Sequence, residues 1–227
     1  LWFLQRRMSG CCRRDCGSDA QMRHIFCRLT GIGLMPLSHP VSRRALKHTR
    51  AIHVEAFARD DGLWDLDAHI TDVKTRDAQL ASGVRPAGAP MHDLWLRLTI
   101  DTKLTVVAAE AVSDAVPYPG YCDTIGPAYQ KLAGLNLLKG FRQAVMERLS
   151  GTSGCTHLSE LALVLPTAAI QAFAGEVINT RENAHPDEQS DKPFQLDRCH
   201  ALRSDGEAVA EYYPRWAIKP ITGTRSN

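Results

Sequence analysis

The chain has 227 residues, a formal net charge of +2 and 44% hydrophobic residues, enough for one domain that buries about 70% of its extended-chain surface. No apolar run approaches the roughly 20 residues of a membrane span. Without its first 34 residues the net charge becomes −2, so the body carries no nucleic-acid footprint.

Residues 1–34 differ in composition from the rest of the chain. Cys11, Cys12, Cys16 and Cys27 lie among Arg6, Arg7, Arg13, Arg14, Arg23 and Arg28, with neither apolar periodicity nor a secretory h-region. A mitochondrial-type presequence and an over-called gene start both fit. The abrupt change favours the second, with Met35 as the start and residues 1–34 as a non-native or disordered leader. The body keeps Cys122, Cys155 and Cys199. An odd number of cysteines without a secretory signal implies reduced thiols and a cytoplasmic setting.

Residues 36–50 read as an irregular lead-in. Ile52, Val54, Ala56 and Ala58 then alternate with His53, Glu55, Phe57 and Arg59, which predicts a strand. Asp60-Asp61-Gly62 is a turn signal. After it, Trp64, Leu66, Ala68 and Ile70 alternate with Asp65, Asp67 and His69, completing a hairpin with one apolar face. Gly83, Pro86, Gly88 and Pro90 mark residues 74–90 as a loop. A third strand is predicted over 94–100 and a fourth over about 104–112, with Pro117-Tyr118-Pro119-Gly120 ending the sheet.

Pro127 suits a helix start, and Leu132, Leu135, Leu138, Phe141, Val145 and Leu149 follow at helical spacing, with Gly134 and Gly140 as weak points. A second helix is predicted from Thr156, kinked or split by Pro166 before Phe173. Residues 179–193 read as a polar linker. Phe194–Leu202 and Ala208–Ile218, around Ser204-Asp205-Gly206, predict a hairpin within a tail (194–227) that covers the domain. Antiparallel strands followed by two or three helices on one face define an α+β domain over about 35–178.

Three islands carry ligand-type side chains at element ends: His92-Asp93, Cys122-Asp123 and Cys155-Thr156-His157. Thiolate, imidazole and carboxylate are the donors of zinc and iron sites. A thiolate at a helix mouth gains from free N–H groups and the helix dipole. The metal set read from the sequence is therefore His92, Asp93, Cys122, Cys155 and His157, with Cys199 and His200 as outer candidates. As neighbours on a strand, at most one of that last pair can reach an ion. The bland counterpart is a buried cysteine acting as a small core residue.

Two further groupings matter. If Arg59 pairs with Leu63, His53 faces His69 and Glu55 faces Asp67, so that a cation or basic partner would bridge the opposed carboxylates; a solvated sheet face is the ordinary reading. Arg50, Arg97 and Tyr118 are candidates for recognising an anionic substrate. No phosphate loop, nucleophile elbow or nucleotide fingerprint occurs.

The run Gly88-Ala89-Pro90-Met91-His92-Asp93-Leu94-Trp95-Leu96-Arg97-Leu98 resembles the start of the NifU/IscU-type iron–sulfur scaffold, and the likeness extends over residues 83–174. It implies a NifU/IscU-like fold in which Asp93 matches the scaffold aspartate, Cys122 the second cysteine, and Cys155 with His157 the final pair. Met91-His92 stands where the scaffold has its first cysteine, and Ser150-Gly151-Thr152-Ser153 replaces the basic chaperone-recognition segment. The chain as a whole resembles a bacterial family catalogued as domain of unknown function 2889. Asp61-Gly62-Leu63-Trp64-Asp65, His92-Asp93, Gly154-Cys155-Thr156-His157-Leu158 and Cys199-His200-Ala201-Leu202 carry that resemblance, which brings no function with it.

The expected function is a metal-binding scaffold or carrier holding zinc or iron, the latter as a labile iron–sulfur cluster. The alternatives are a metal-dependent enzyme on a small molecule, and a structural-zinc protein with an interaction role for Tyr212-Tyr213-Pro214-Arg215-Trp216. The expected partner is a protein or a small molecule, with no nucleic acid and no membrane.

Overall fold

The computed structural model describes residues 37–180 and 192–218. The proposed leader, Met35 and most of the polar linker lie outside them. The chain divides into two units, Leu1–Ala45 and Leu46–Asn227. In the first, residues 37–45 are exposed and form neither strand nor helix.

In the second unit, β1 (His48–Ala58), β2 (Trp64–Lys74), β5 (Pro90–Ile100) and β6 (Val106–Ala115) form an antiparallel sheet in the order β1-β2-β5-β6. A separate small hairpin, β3 (Ala78–Leu80) with β4 (Gly83–Arg85), occupies the predicted 74–90 loop. The first hairpin has the expected register: His53 is opposite His69 and Glu55 opposite Asp67. Gly62, with φ 81°, supplies the turn conformation an L side chain resists. The strands run longer than the alternation indicated, because β1 and β2 continue past the apolar stretch into His48, Arg50 and Asp72.

Period-two alternation divides the sheet into two faces. Leu66, Ala68 and Ile70 of β2 and Leu94, Leu96, Leu98 and Ile100 of β5 are almost fully buried on one of them. Over that face lie a 3-10 segment (Cys122–Leu132), α1 (Phe141–Leu149) and α2 (Thr156–Phe173). Their buried side chains include Tyr129, Leu132, Val145, Leu158, Leu161, Leu165 and Phe173. Trp64 closes the far end against the Phe173 ring at 5.0 Å. The other face carries His53, Asp67, His69 and Arg97, half-buried or exposed.

Three predicted elements differ. The long helix from Pro127 is instead the 3-10 segment and α1, because Gly134 (φ 83°) and Gly140 (φ 65°) leave helical backbone. The chain between them follows the sheet edge, with Gly134 donating to Val106 and Leu137 to Leu104.

The second helix runs through Pro166 unbroken for 18 residues. An internal proline costs about 3 kcal/mol. Burial of Leu158, Leu161, Leu165 and Phe173, at about 1.5–3 kcal/mol each, outweighs it.

The C-terminal hairpin is replaced by turns and α3 (Glu207–Tyr212). Asp197 accepts from the Ser204 backbone and hydroxyl and from Lys192, which ties 192–204 into a local loop instead of a strand. Of α3, Val209 alone is fully buried, so the apparent alternation had no sheet to serve.

Candidate metal centre

Where the apolar face of the sheet ends, it turns polar. Arg50 lies opposite Asp72, and Asp72 lies opposite His92, a row across three adjacent strands. All three continue the parity of the buried residues, so they point to the helix-covered side. His48 extends the row by one step along β1. The start of α2 lies over it and contributes His157 and Glu160.

Asp72 is the hub, with its side chain only 4% exposed. Arg50 donates to it in bidentate fashion, Nε to Oδ1 at 2.9 Å and Nη2 to Oδ2 at 2.8 Å. His48 Nε2 is 2.8 Å from Oδ1 and His92 Nδ1 is 3.0 Å from Oδ2. His157 Nε2 stands 3.5 Å from Oδ2, and its ring lies against that of His92 with centroids 3.7 Å apart. Arg50 also grips Glu160 through Nη1 at 2.6 Å.

The electrostatics follow from this crowding. Burial alone would raise the Asp72 pKa, but the Arg50 guanidinium and the two imidazoles outweigh it and hold the carboxyl at about 2. Burial lowers the pKa of His92 below its ordinary value, only partly opposed by Asp72, which favours the neutral ring that a metal requires. With neutral imidazoles, Asp72, Glu160 and Arg50 leave one net negative charge.

The helix mouth is held rigidly. Gly154 precedes α2, and a Cβ there would stand 2.2 Å from the Leu149 carbonyl oxygen, so only glycine fits. Cys155 caps the helix with extended backbone. The fully buried Tyr129 hydroxyl accepts from the Cys155 N–H at 3.0 Å and lies 2.8 Å from its carbonyl oxygen and 2.9 Å from Ser159 Oγ. Cys155 Sγ is 3.8 Å from His157 Nδ1. Burial pushes that thiol up, but His157 and the N–H groups of His157 and Leu158 more than compensate, and its pKa falls below the ordinary value.

Ligand atoms of Asp72, His92 and His157 lie within 4.8 Å of one another, and among the described residues this is the set of three that could hold an ion. Two ligands about 2.0–2.1 Å from a shared tetrahedral ion stand roughly 3.3 Å apart. The 3.0 and 3.5 Å separations from Asp72 Oδ2 bracket that spacing.

The structure thus brings together His92 and His157 from the sequence-derived set, with Cys155 beside His157. Asp93, next to His92 on β5, faces the other side of the sheet and pairs with His69 Nε2 at 2.6 Å. Cys122 is half-buried in the 3-10 segment, packed against the core. Cys199 and His200 are exposed in the C-terminal turns.

Asp72 is absent from the sequence-derived set, although it continues the Leu66, Ala68, Ile70 series. Arg50, read from sequence as a substrate-binding group, is the partner of Asp72 and Glu160. On the open face, the Arg97 guanidinium pairs with Asp67 through two bonds of 2.6 Å, and among the described residues it does not bridge Asp67 to the opposed Glu55. His53 turns to Glu55 at 3.5 Å, and His69 stacks on Trp95 with centroids 3.7 Å apart. Tyr118 is exposed in the turn after the sheet.

A family model described as "Protein of unknown function (DUF2889)" matches residues 48–171. No curated protein and no solved structure matches the chain. The matched span contains Arg50, Asp72, His92, Cys155, His157 and Glu160. Among the described residues no helix is long and apolar enough to cross a membrane.

Proposed function

The chain belongs to the DUF2889 family, and we propose that it binds a single zinc or ferrous ion through Asp72, His92 and His157. The observation that carries this reading is the convergence of those three ligand atoms within 4.8 Å around a buried carboxylate. Two imidazoles and a carboxylate suit zinc or ferrous iron. Three protein ligands leave a coordination position for water or substrate, as catalytic sites do and closed structural sites do not. The reading is therefore a metal-dependent protein acting on a small molecule. An iron–sulfur scaffold would need thiolates in the first shell, and the trio has none.

Arg50, Glu160 and His48 are the outer partners. Arg50 orients the Asp72 carboxylate, and Glu160 balances the guanidinium charge. Such partners commonly govern metal affinity by 10–100-fold. An ion at Asp72 Oδ2 would take His92 through Nδ1 and His157 through Nε2, each as a neutral imidazole with its proton on the other ring nitrogen.

Elemental analysis of the reduced full-length chain tests the proposal. It predicts one ion per chain in the wild type and loss of that ion in His157→Ala with folding retained. Stoichiometric metal that persists in His157→Ala would defeat it.

A second reading rests on a different observation: His157 presents opposite ring nitrogens to Cys155 and to Asp72. The two nitrogens diverge, so Cys155 and Asp72 do not meet His157 around one ion. A thiol, an imidazole and a carboxylate in that sequence form a nucleophile, base and orienting group. In that case the Cys155 proton passes to His157 Nδ1, and Asp72 holds the imidazolium. Alkylation kinetics at Cys155 test it.

A further inference from the structure

Away from the polar cluster, the outer side of α2 borders two adjoining apolar depressions. One, of about 590 Å³, lies against α1 and is lined by Leu138, Phe141, Met146, Leu163 and Pro166. The other, of about 470 Å³, lies between α2 and the C-terminal turns, with Leu138, Pro166, Ile170, Phe194 and Leu202 in its walls. They share Leu138 and Pro166, so they run together as one trough. Each falls in the range of small-molecule sites.

The charges along this trough have one sign. Among the described lining residues the ionised groups are Arg142 in the first depression and Arg198 in the second, and none is acidic. Neither arginine forms a salt bridge among the described residues. Arg198 rests over the Phe194 ring at 5.0 Å, which fixes its guanidinium at the apolar wall. Leu138 and Met146 are 45% and 50% exposed, so the trough is open to a ligand. Apolar walls with uncompensated cations complement an apolar body bearing an anionic head.

We propose that this trough binds an elongated amphipathic anion of the alkyl-carboxylate class, its chain along Leu138, Pro166 and Ile170 and its carboxylate at Arg198 or Arg142. The site is separate from the Asp72 cluster and does not depend on an ion there.

The probe is decanoate, used below its micelle concentration with the full-length chain and read by displacement of an environment-sensitive fluorophore, with 1-decanol as the neutral control. Decanoate is expected to bind about tenfold tighter than decanol, the equivalent of one well-placed charged contact. The double variant Arg142→Gln/Arg198→Gln should abolish that preference. Leu138→Glu, at an exposed position, should weaken decanoate at least as much while leaving thermal stability unchanged. Equal affinity for acid and alcohol, no displacement by decanoate, or decanoate binding unaffected by Leu138→Glu would each overturn the proposal.

Discussion

Arg50 and Asp72 face each other across neighbouring strands, and the guanidinium closes on the carboxylate with two bonds of 2.8 and 2.9 Å. That clamp sets the position of the one buried carboxylate of the polar cluster. His92, His157 and His48 are all arranged around its two oxygens. Without the clamp, only the single contacts from His48 and His92 would hold the two carboxylate oxygens.

Removing the carboxylate should be costly in proportion to its burial. Asp72 is buried, but Arg50 is 35% exposed, which lets water screen the cation. Asp72→Asn is therefore expected to cost about 1–3 kcal/mol, below the 3–5 kcal/mol of a fully buried broken pair. Urea unfolding of the metal-free protein measures it. A change within 0.5 kcal/mol would mean that the cluster contributes little to the fold.

The same group predicts an acid limb of stability. The folded-state pKa of Asp72 is depressed to about 2, whereas an unfolded aspartate titrates near 3.9. Its contribution is thus complete above about pH 5 and is lost as the pH falls toward 2. The difference corresponds to roughly 2–3 kcal/mol. In Asp72→Asn that part of the slope should vanish, with the remaining carboxylates unaffected. An unchanged slope would show that Asp72 titrates normally in the folded chain.

Gly154→Ala should disturb the helix mouth. The added Cβ meets the Leu149 backbone at 2.2 Å, and backbone cannot yield as a flexible side chain can. A loss of about 2–4 kcal/mol is expected, at the upper end of overpacking effects. Thermal unfolding reads the stability, and metal affinity should fall with it because His157 lies three residues further along the chain.

Tyr129→Phe tests the same support with less disruption. It removes the hydroxyl that satisfies the Cys155 N–H, leaving a part-buried donor unpaired at a cost of about 1–3 kcal/mol. Chemical denaturation should reveal that cost without a change of fold. A neutral result would mean that water replaces the hydroxyl.

Cys155 offers a kinetic readout. A thiol with a depressed pKa beside His157 should react with iodoacetamide faster than Cys122 at pH 7. His157→Ala should slow Cys155 and leave Cys122 unchanged. Equal rates in the two proteins would remove the thiol–imidazole reading. Bound zinc that leaves the Cys155 rate unchanged would indicate a thiol outside the first shell.

Much of this is legible in the chain. Alternation yields the first hairpin and its register, because Asp60-Asp61-Gly62 admits few turn geometries. His92 and His157 stand out as ligand types at element ends. Asp93 joins His92 in a sequence reading because the two are adjacent, yet on a pleated strand adjacency means opposite faces. Asp72 is the converse case: its parity points to the core side, but an aspartate after Ile70 looks like the end of a strand. Its burial depends on Arg50, 22 residues earlier, and on Glu160 and His157, which arrive only when α2 packs. The path of α2 across Pro166 is likewise decided by burial, which local propensity does not contain. The C-terminal alternation misleads for the same reason, since α3 rests on a tail tied together by Asp197 and Ser204.

A zinc titration of the reduced, metal-free chain by calorimetry tests the central claim most directly, run beside His92→Ala and Asp93→Asn. One zinc per chain is predicted for the wild type and for Asp93→Asn, with binding lost in His92→Ala. Binding lost in Asp93→Asn but kept in His92→Ala, or no saturable binding in the wild type, would contradict an ion held by Asp72, His92 and His157.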